Sequence, residues 1–194
     1  MVVKKVYFCS NLSTMDNMYK VNLLRDFLDE IQLNPNITAF RLNEEIVTNA
    51  LFLQRIAPIM NELDAVTMPV LPLLMEPDIE VVAAVPAAIL LGKPVVPVLS
   101  SWSEAQRQQV LADTGVDHCL TAHRMQYFFR MTFEDALDRV DNGFCELNTA
   151  SVVARLYDFD SNGHLNSRSL TLEEMLDGKP FIPAVFDFCQ RFFQ

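Results

Sequence analysis

The stretch Ile79-Glu80-Val81-Val82-Ala83-Ala84-Val85-Pro86-Ala87-Ala88-Ile89-Leu90-Leu91-Gly92-Lys93-Pro94-Val95-Val96-Pro97-Val98-Leu99 decides the fold. Its first part, residues 79–91, is apolar and long enough for a helix. Gly92-Lys93 punctuates it, and residues 94–99 then read as a short strand rich in valine. Upstream, residues 6–9 read as a buried strand. Residues 17–31 place Met18, Val21, Leu24, Phe27, Leu28 and Ile31 on one helical face. After the turn Asn34-Pro35-Asn36 come a strand at 37–42, a helix at 44–63 kinked or broken near Pro58, and a third strand at 65–70. Downstream, 103–112 reads as a helix and 118–120 as a fifth, shorter strand. Thr132 is placed to cap a helix running to Val140.

Strands alternating with helices at these spacings imply a parallel sheet wrapped by helices. The expected fold class is therefore α/β: a flavodoxin-like, five-stranded parallel sheet over residues 1–142. Composition changes near Asn142-Gly143, so residues 143–194 are expected to form a small helical extension. In such a sheet the site lies outside the carboxyl ends of the strands. Here those ends fall at 8–12, 69–80 and 100–102, with His123 as an outlying candidate.

Composition narrows the function. The 194 residues carry 25 acidic and 15 basic side chains, a net charge of −10. Such a chain does not suit the phosphate backbone of a nucleic acid, which is met by clustered Lys and Arg. No apolar run reaches membrane-spanning length, and the amino terminus lacks a signal peptide's long apolar core. Four scattered cysteines, Cys9, Cys119, Cys145 and Cys189, read as reduced thiols. The expectation is a cytoplasmic protein with neither nucleic acid nor membrane as partner.

Asp64-Ala65-Val66, Pro77-Asp78, Gly92-Lys93-Pro94-Val95 and the opening Val6-Tyr7-Phe8-Cys9-Ser10 together resemble the nucleoside 2-deoxyribosyltransferase family. Toll/interleukin-receptor (TIR) domains, some of which cleave the glycosidic bond of NAD, share the strand–helix order and the Gly-Lys run. The resemblance implies a nucleoside or nucleotide ligand held by Phe8, Ser10, Asp64 and Asp78. It also implies a catalytic Glu eight positions before Gly92, acting as nucleophile or as stabiliser of an oxocarbenium ion. That position is Ala84, whose methyl group does neither. Glu80, one helical turn earlier, and Asp78 are the fallback carboxylates. One turn is about 5 Å, far outside the roughly half-ångström tolerance of a catalytic group. The expectation is a catalytically degenerate relative serving as an interaction or structural part of a larger assembly, with a protein partner. The alternative is an active N-glycosyl transferase or hydrolase with a displaced carboxylate.

In the extension, Asp158-Phe159-Asp160-Ser161-Asn162-Gly163-His164-Leu165-Asn166 resembles an EF-hand calcium loop. Asp158, Asp160 and Asn162 stand at positions one, three and five, with the His164 carbonyl at seven. Ala150, Val153, Ala154 and Tyr157 carry the spacing of an entering helix. Position twelve is Ser169 where a bidentate Glu belongs, so the resemblance implies a weak calcium site at best. No cofactor is expected: these residues read first as a relic loop held by Asx-turn hydrogen bonds, and calcium enters only in the alternative of a calcium-modulated binding module. Residues 181–194 carry five phenylalanines, read as a helix docked on the α/β domain or as an anchor for a partner's groove. Tyr127-Phe128-Phe129, between Arg124 and Arg130, reads as core packing. His118, Cys119 and His123 lack further ligands at metal spacing.

Overall fold

The structure is a computed structural model that describes residues 25–143 and 147–193. Residues 25–33 are helical (α1). They are followed by the hairpin β1 (Thr38–Leu42) and β2 (Glu45–Thr48), then α2 (Asn49–Asp64) and β3 (Leu71–Met75). Next come α3 (Ile79–Leu90), β4 (Val95–Leu99), α4 (Glu104–Thr114), α5 (Ala122–Met125) and α6 (Phe133–Gly143). The chain closes with β5 (Val152–Phe159), β6 (Leu165–Thr171), α7 (Leu172–Leu176) and α8 (Phe181–Gln190).

Among the described residues the main sheet has four strands in the order β3-β4-β5-β6, and β1-β2 forms a separate antiparallel pair. β3 and β4 are parallel from Leu71↔Val95 to Met75↔Leu99, and β5 joins β4 in parallel through Val95 and Ala154. β6 returns antiparallel to β5. The expected five-stranded parallel flavodoxin-like sheet with a helical extension is thus corrected to a mixed four-stranded sheet and a hairpin. The expected strand at 6–9 lies outside the described residues.

Each difference has a local cause. The strand at 37–42 does not enter the sheet, because Asn43 and Glu44 both take positive φ (48° and 68°) and fold it straight back on residues 45–48. A two-residue loop with both centres left-handed matches the twist of a hairpin. This also delays α2, which starts at Asn49 behind the cap Thr48 and then runs unbroken through Pro58. The third strand lies at Leu71–Met75 rather than 65–70. Lys93 explains the shift: its Nζ donates to the carbonyls of Leu63 and of Val66 (2.8 Å), fixing 63–66 as a helix end. Residues 118–120 contribute one parallel bridge, Leu73↔Leu120. Residues 152–159, read as an EF-hand's entering helix, are β5. Their β-branched and aromatic side chains suit a strand covered on both faces.

Those two faces are packed differently. On one, Val96 and Val98 meet Tyr157, Val110 of α4 and Val116, with Trp102 and Phe159 at the margin. On the other lie α2, α3, α6 and α8. α3 is the centre of that layer, since every residue from Glu80 to Leu90 is buried. A helix apolar all round belongs inside, and its alanines let α2 approach closely. α8 packs on α3 and β1; Phe186 stacks on Phe40 (4.7 Å between ring centroids) and Phe181 meets Phe27 edge-on (5.2 Å).

Candidate functional site

Three loops meet at the carboxyl edge of β3, β4 and β5. The first is Glu76-Pro77-Asp78, which ends β3 and starts α3. Asp78 is the N-cap, and its carboxylate accepts from the Glu80 amide (2.8 Å). The Asn43 side chain donates to the Pro77 carbonyl (2.8 Å), tying the β1–β2 hairpin to this edge. The second is residues 100–102, closed by Ser103, which forms a capping box with Gln106 at the start of α4. The third is the β5–β6 turn. Trp102 stands edge-on against Phe159 with centroids 5.5 Å apart, joining the second loop to the third.

In the turn, Asp160 gathers its own loop. Its Oδ1 accepts from the amides of Asn162 and His164 (2.8 Å each), and its Oδ2 lies 3.0 Å from His164 Nδ1. These bonds, the His164 amide foremost, hold its carboxyl below the usual range. Gly163 takes φ +80°, the left-handed conformation the turn requires.

Behind the first loop lies a buried ion pair. Glu80, with only 5% of its side chain exposed, accepts from Arg55 of α2 at 2.5 Å, and Arg130 approaches to 3.9 Å. Burial raises the Glu80 carboxyl and Arg55 opposes that rise. Arg55 Nε is itself buried without a partner. The pair fastens α2 to the first turn of α3 and fills the space beneath the edge.

The structure scatters the residues expected to form the site. Phe8 and Ser10 lie outside the described residues. Asp64 sits at the opposite edge of the sheet, at the end of α2, exposed and paired with Arg139 (3.1 Å). Asp78 and Glu80 are adjacent, one spent on capping and the other on Arg55. Ala84 is fully buried in the middle of α3. Asp158, Asp160, Asn162 and His164 come together only as the two sides of a hairpin: Asp158 pairs with Asn166, and Ser169 pairs with Arg155 up the ladder. Among the described residues no three His, Cys, Asp or Glu side chains are grouped to hold a metal ion. Tyr127 and Phe129, read as core, stand 77% and 84% exposed. Burial raises the Cys119 and Cys189 thiols above the usual range.

Sequence reasoning missed Arg55, Arg130 and the Trp102–Phe159 contact. A signal for the first was there. Arg55 is a lone cation inside the apolar run 51–60, and Glu80 a lone anion inside 79–91. Two such charges in two buried helices are each other's natural partner.

An α/β unit with its loops gathered at the strands' carboxyl ends defines a class of ligand-holding fold. Within that class the chain shares its fold with solved proteins that are 16–17% identical to it. The Klebsiella oxytoca NpsA N-terminal subdomain, in complex with 3-hydroxyanthranilyl-AMSN, superposes with a TM-score of 0.56 at 16% identity, over 76% of this chain and 40% of that chain. The o-succinylbenzoate CoA synthetase MenE from Bacillus subtilis, in complex with the acyl-adenylate intermediate OSB-AMP, gives 0.56 at 17%, over 78% and 43%. The inhibitor-bound N-terminal domain of FACL13 from Mycobacterium tuberculosis gives 0.57 at 17%, over 78% and 44%. The chain thus spans less than half the length of these neighbours. No family model and no curated protein matches the sequence.

These findings overturn the resemblance to deoxyribosyltransferases and TIR domains, and with it the reading as a degenerate member of those families. Asp64-Ala65-Val66 is the exposed end of α2 rather than the opening of a strand, and Gly92-Lys93-Pro94-Val95 joins α3 to β4 away from the carboxyl edge. Lys93 shows this directly, since it closes the end of α2 and touches no site. Among the described residues no helix is long and apolar enough to cross a membrane.

Proposed function

We propose that the chain is an adenylation-type subdomain that holds an acyl-adenylate at the carboxyl edge of its sheet and shares that site with a second polypeptide unit. One observation carries the reading: over three quarters of its length the chain shares the fold of proteins solved with 3-hydroxyanthranilyl-AMSN and OSB-AMP. The edge chemistry indicates a shared site. Residues 76–78, 100–103 and 160–164 offer hydroxyls, the Trp102 ring and the carboxylates of Glu76, Asp78 and Asp160, with His164 as the only side chain able to become cationic. A phosphoryl group placed there needs cations from elsewhere. The neighbours, more than twice as long as their overlap with this chain, have further chain to supply them.

The test is calorimetric titration of the chain with 3-hydroxybenzoyl-AMSN, followed by amide NMR mapping. We expect a dissociation constant of about 0.05–1 mM, as befits half a site, with shifts confined to 76–80, 100–103 and 159–164. Absence of binding at about 5 mM ligand, or shifts elsewhere only, overturns the reading.

A further inference from the structure

A cleft of about 410 Å³ opens on the flank of the sheet, between β6 and the carboxyl end of α8. It contains no residue of the three loops at the carboxyl edge. Its floor is apolar: Leu170 and Phe188 are buried, Leu156 is half-buried, and Phe192 stands edge-on to Phe188 at 5.1 Å between centroids. Arg168 from β6 and Arg191, at the cap of α8, line the same cleft. Among the described residues neither is in a salt bridge. Asp158 lines the same cleft, and Glu174 lies within electrostatic reach of Arg168. Two cations over an apolar floor are an uncommon arrangement on a chain of net charge −10. The volume is that of a small-molecule pocket, and the lining divides between apolar side chains and polar groups that can fix orientation.

We propose that this cleft binds a small organic carboxylate with a flat apolar body, such as an aromatic acid. Arg168 and Arg191 take the carboxylate, for which the guanidinium fork has matching geometry. Phe188, Phe192, Leu156 and Leu170 take the ring. A purely inorganic anion leaves the apolar floor wet, and a neutral ring forms no ion pair with the guanidiniums, so the site selects molecules that carry both features. The proposal stands independently of the adenylate reading, because it concerns another face of the sheet and a ligand without a nucleotide.

The test is an amide NMR titration of the whole chain with sodium benzoate, run beside benzamide and inorganic phosphate. We expect benzoate to shift residues 167–170 and 188–192. Benzamide and phosphate should bind at least about tenfold more weakly. Arg168→Gln and Arg191→Gln change exposed side chains, so the fold is retained and far-UV circular dichroism checks it. Each should weaken benzoate about fivefold or more, and the double variant still further. Absence of benzoate shifts in these residues, an unchanged affinity in the double variant, or phosphate binding as tightly as benzoate overturns the proposal.

Discussion

α3 and the β5–β6 hairpin lie in one chain but are held by different means. α3 is buried from Glu80 to Leu90, and its identity as a helix follows from what surrounds it. It tolerates Pro86 in its interior because α2, the sheet and α8 pack it on every side. β6 leaves Asn166, Ser167, Arg168 and Ser169 exposed and anchors itself mainly through Leu170. Its shape is set at its ends, by the Asp160–Gly163 turn and by Thr171, which caps α7 reciprocally with Glu174. One region is specified by burial and the other by turn chemistry. They should therefore respond to different substitutions, on different scales.

The largest effect is expected at Ala84→Glu. The position is fully buried in α3, and a carboxylate there has no partner. We expect a loss of about 4 kcal/mol or more, enough to leave the chain largely unfolded, read by urea denaturation. A variant that kept wild-type stability would show that α3 is not the packed centre. Arg55→Met comes next. It strands Glu80 in the interior and should cost about 3–5 kcal/mol, most of it regained in the Arg55→Met/Glu80→Met double variant. The pH response sharpens the point. Burial raises Glu80 from its ordinary 4.5, so the native state holds that proton more firmly than the unfolded chain does. Glu80 therefore makes stability fall as pH rises from about 4.5 through its native value. Glu80→Gln should remove that component, and Arg55→Met should enlarge it. A pH profile identical in all three proteins breaks the argument.

The same contrast explains what the sequence disclosed. Residues 79–99 read correctly as helix then strand, because burial leaves its mark on every side chain. Residues 150–157 read as helix because Ala150, Val153, Ala154 and Tyr157 fall three or four apart. The strand buries neighbours on both faces instead, and Ala154 and Tyr157 go to opposite layers. Asp158 to Gly163 carries turn residues that serve a calcium loop and a tight hairpin equally well, and the pairing with β4 that decides between them is non-local. Asn43-Glu44 went unread for a related reason: glutamate seldom takes positive φ, so nothing local announced the first hairpin. At the candidate site, Asp78 was singled out as a ligand-binding or fallback catalytic carboxylate, whereas it caps α3. The Trp102–Phe159 contact was not legible, since it joins residues brought together only by the fold, whereas the Arg55–Glu80 pair left an unread signal, a lone opposite charge in each of two apolar runs.

The hairpin should yield to smaller, local changes. Gly163→Ala adds a methyl group that meets nothing within 4 Å, so its cost is purely conformational at φ +80°. We expect about 1–2 kcal/mol by chemical denaturation. Thr171→Ala removes the cap of α7 and should cost about 1 kcal/mol. Equal losses from Gly163→Ala and Ala84→Glu would erase the distinction between turn-held and core-held regions.

The smallest effect is expected at Lys179→Ala. Lys179 Nζ lies 2.7 Å from Asp187, a short contact linking the loop before α8 to the helix itself. Both side chains are substantially exposed, so solvent and salt screen the attraction and ordering two flexible chains offsets what remains. The loss should stay below about 0.5 kcal/mol and shrink further in high salt. The attachment of α8 rests instead on Phe188 and Val185, buried beside α3, and on Phe186 stacked against Phe40. Phe188→Ala should accordingly cost about 3–5 kcal/mol, several times the ion pair, by the same denaturation assay. If Lys179→Ala matched Phe188→Ala, the carboxyl-terminal helix would be held by its surface charges. The benzoate cleft beside it would then lose the rigid apolar floor on which its selectivity depends.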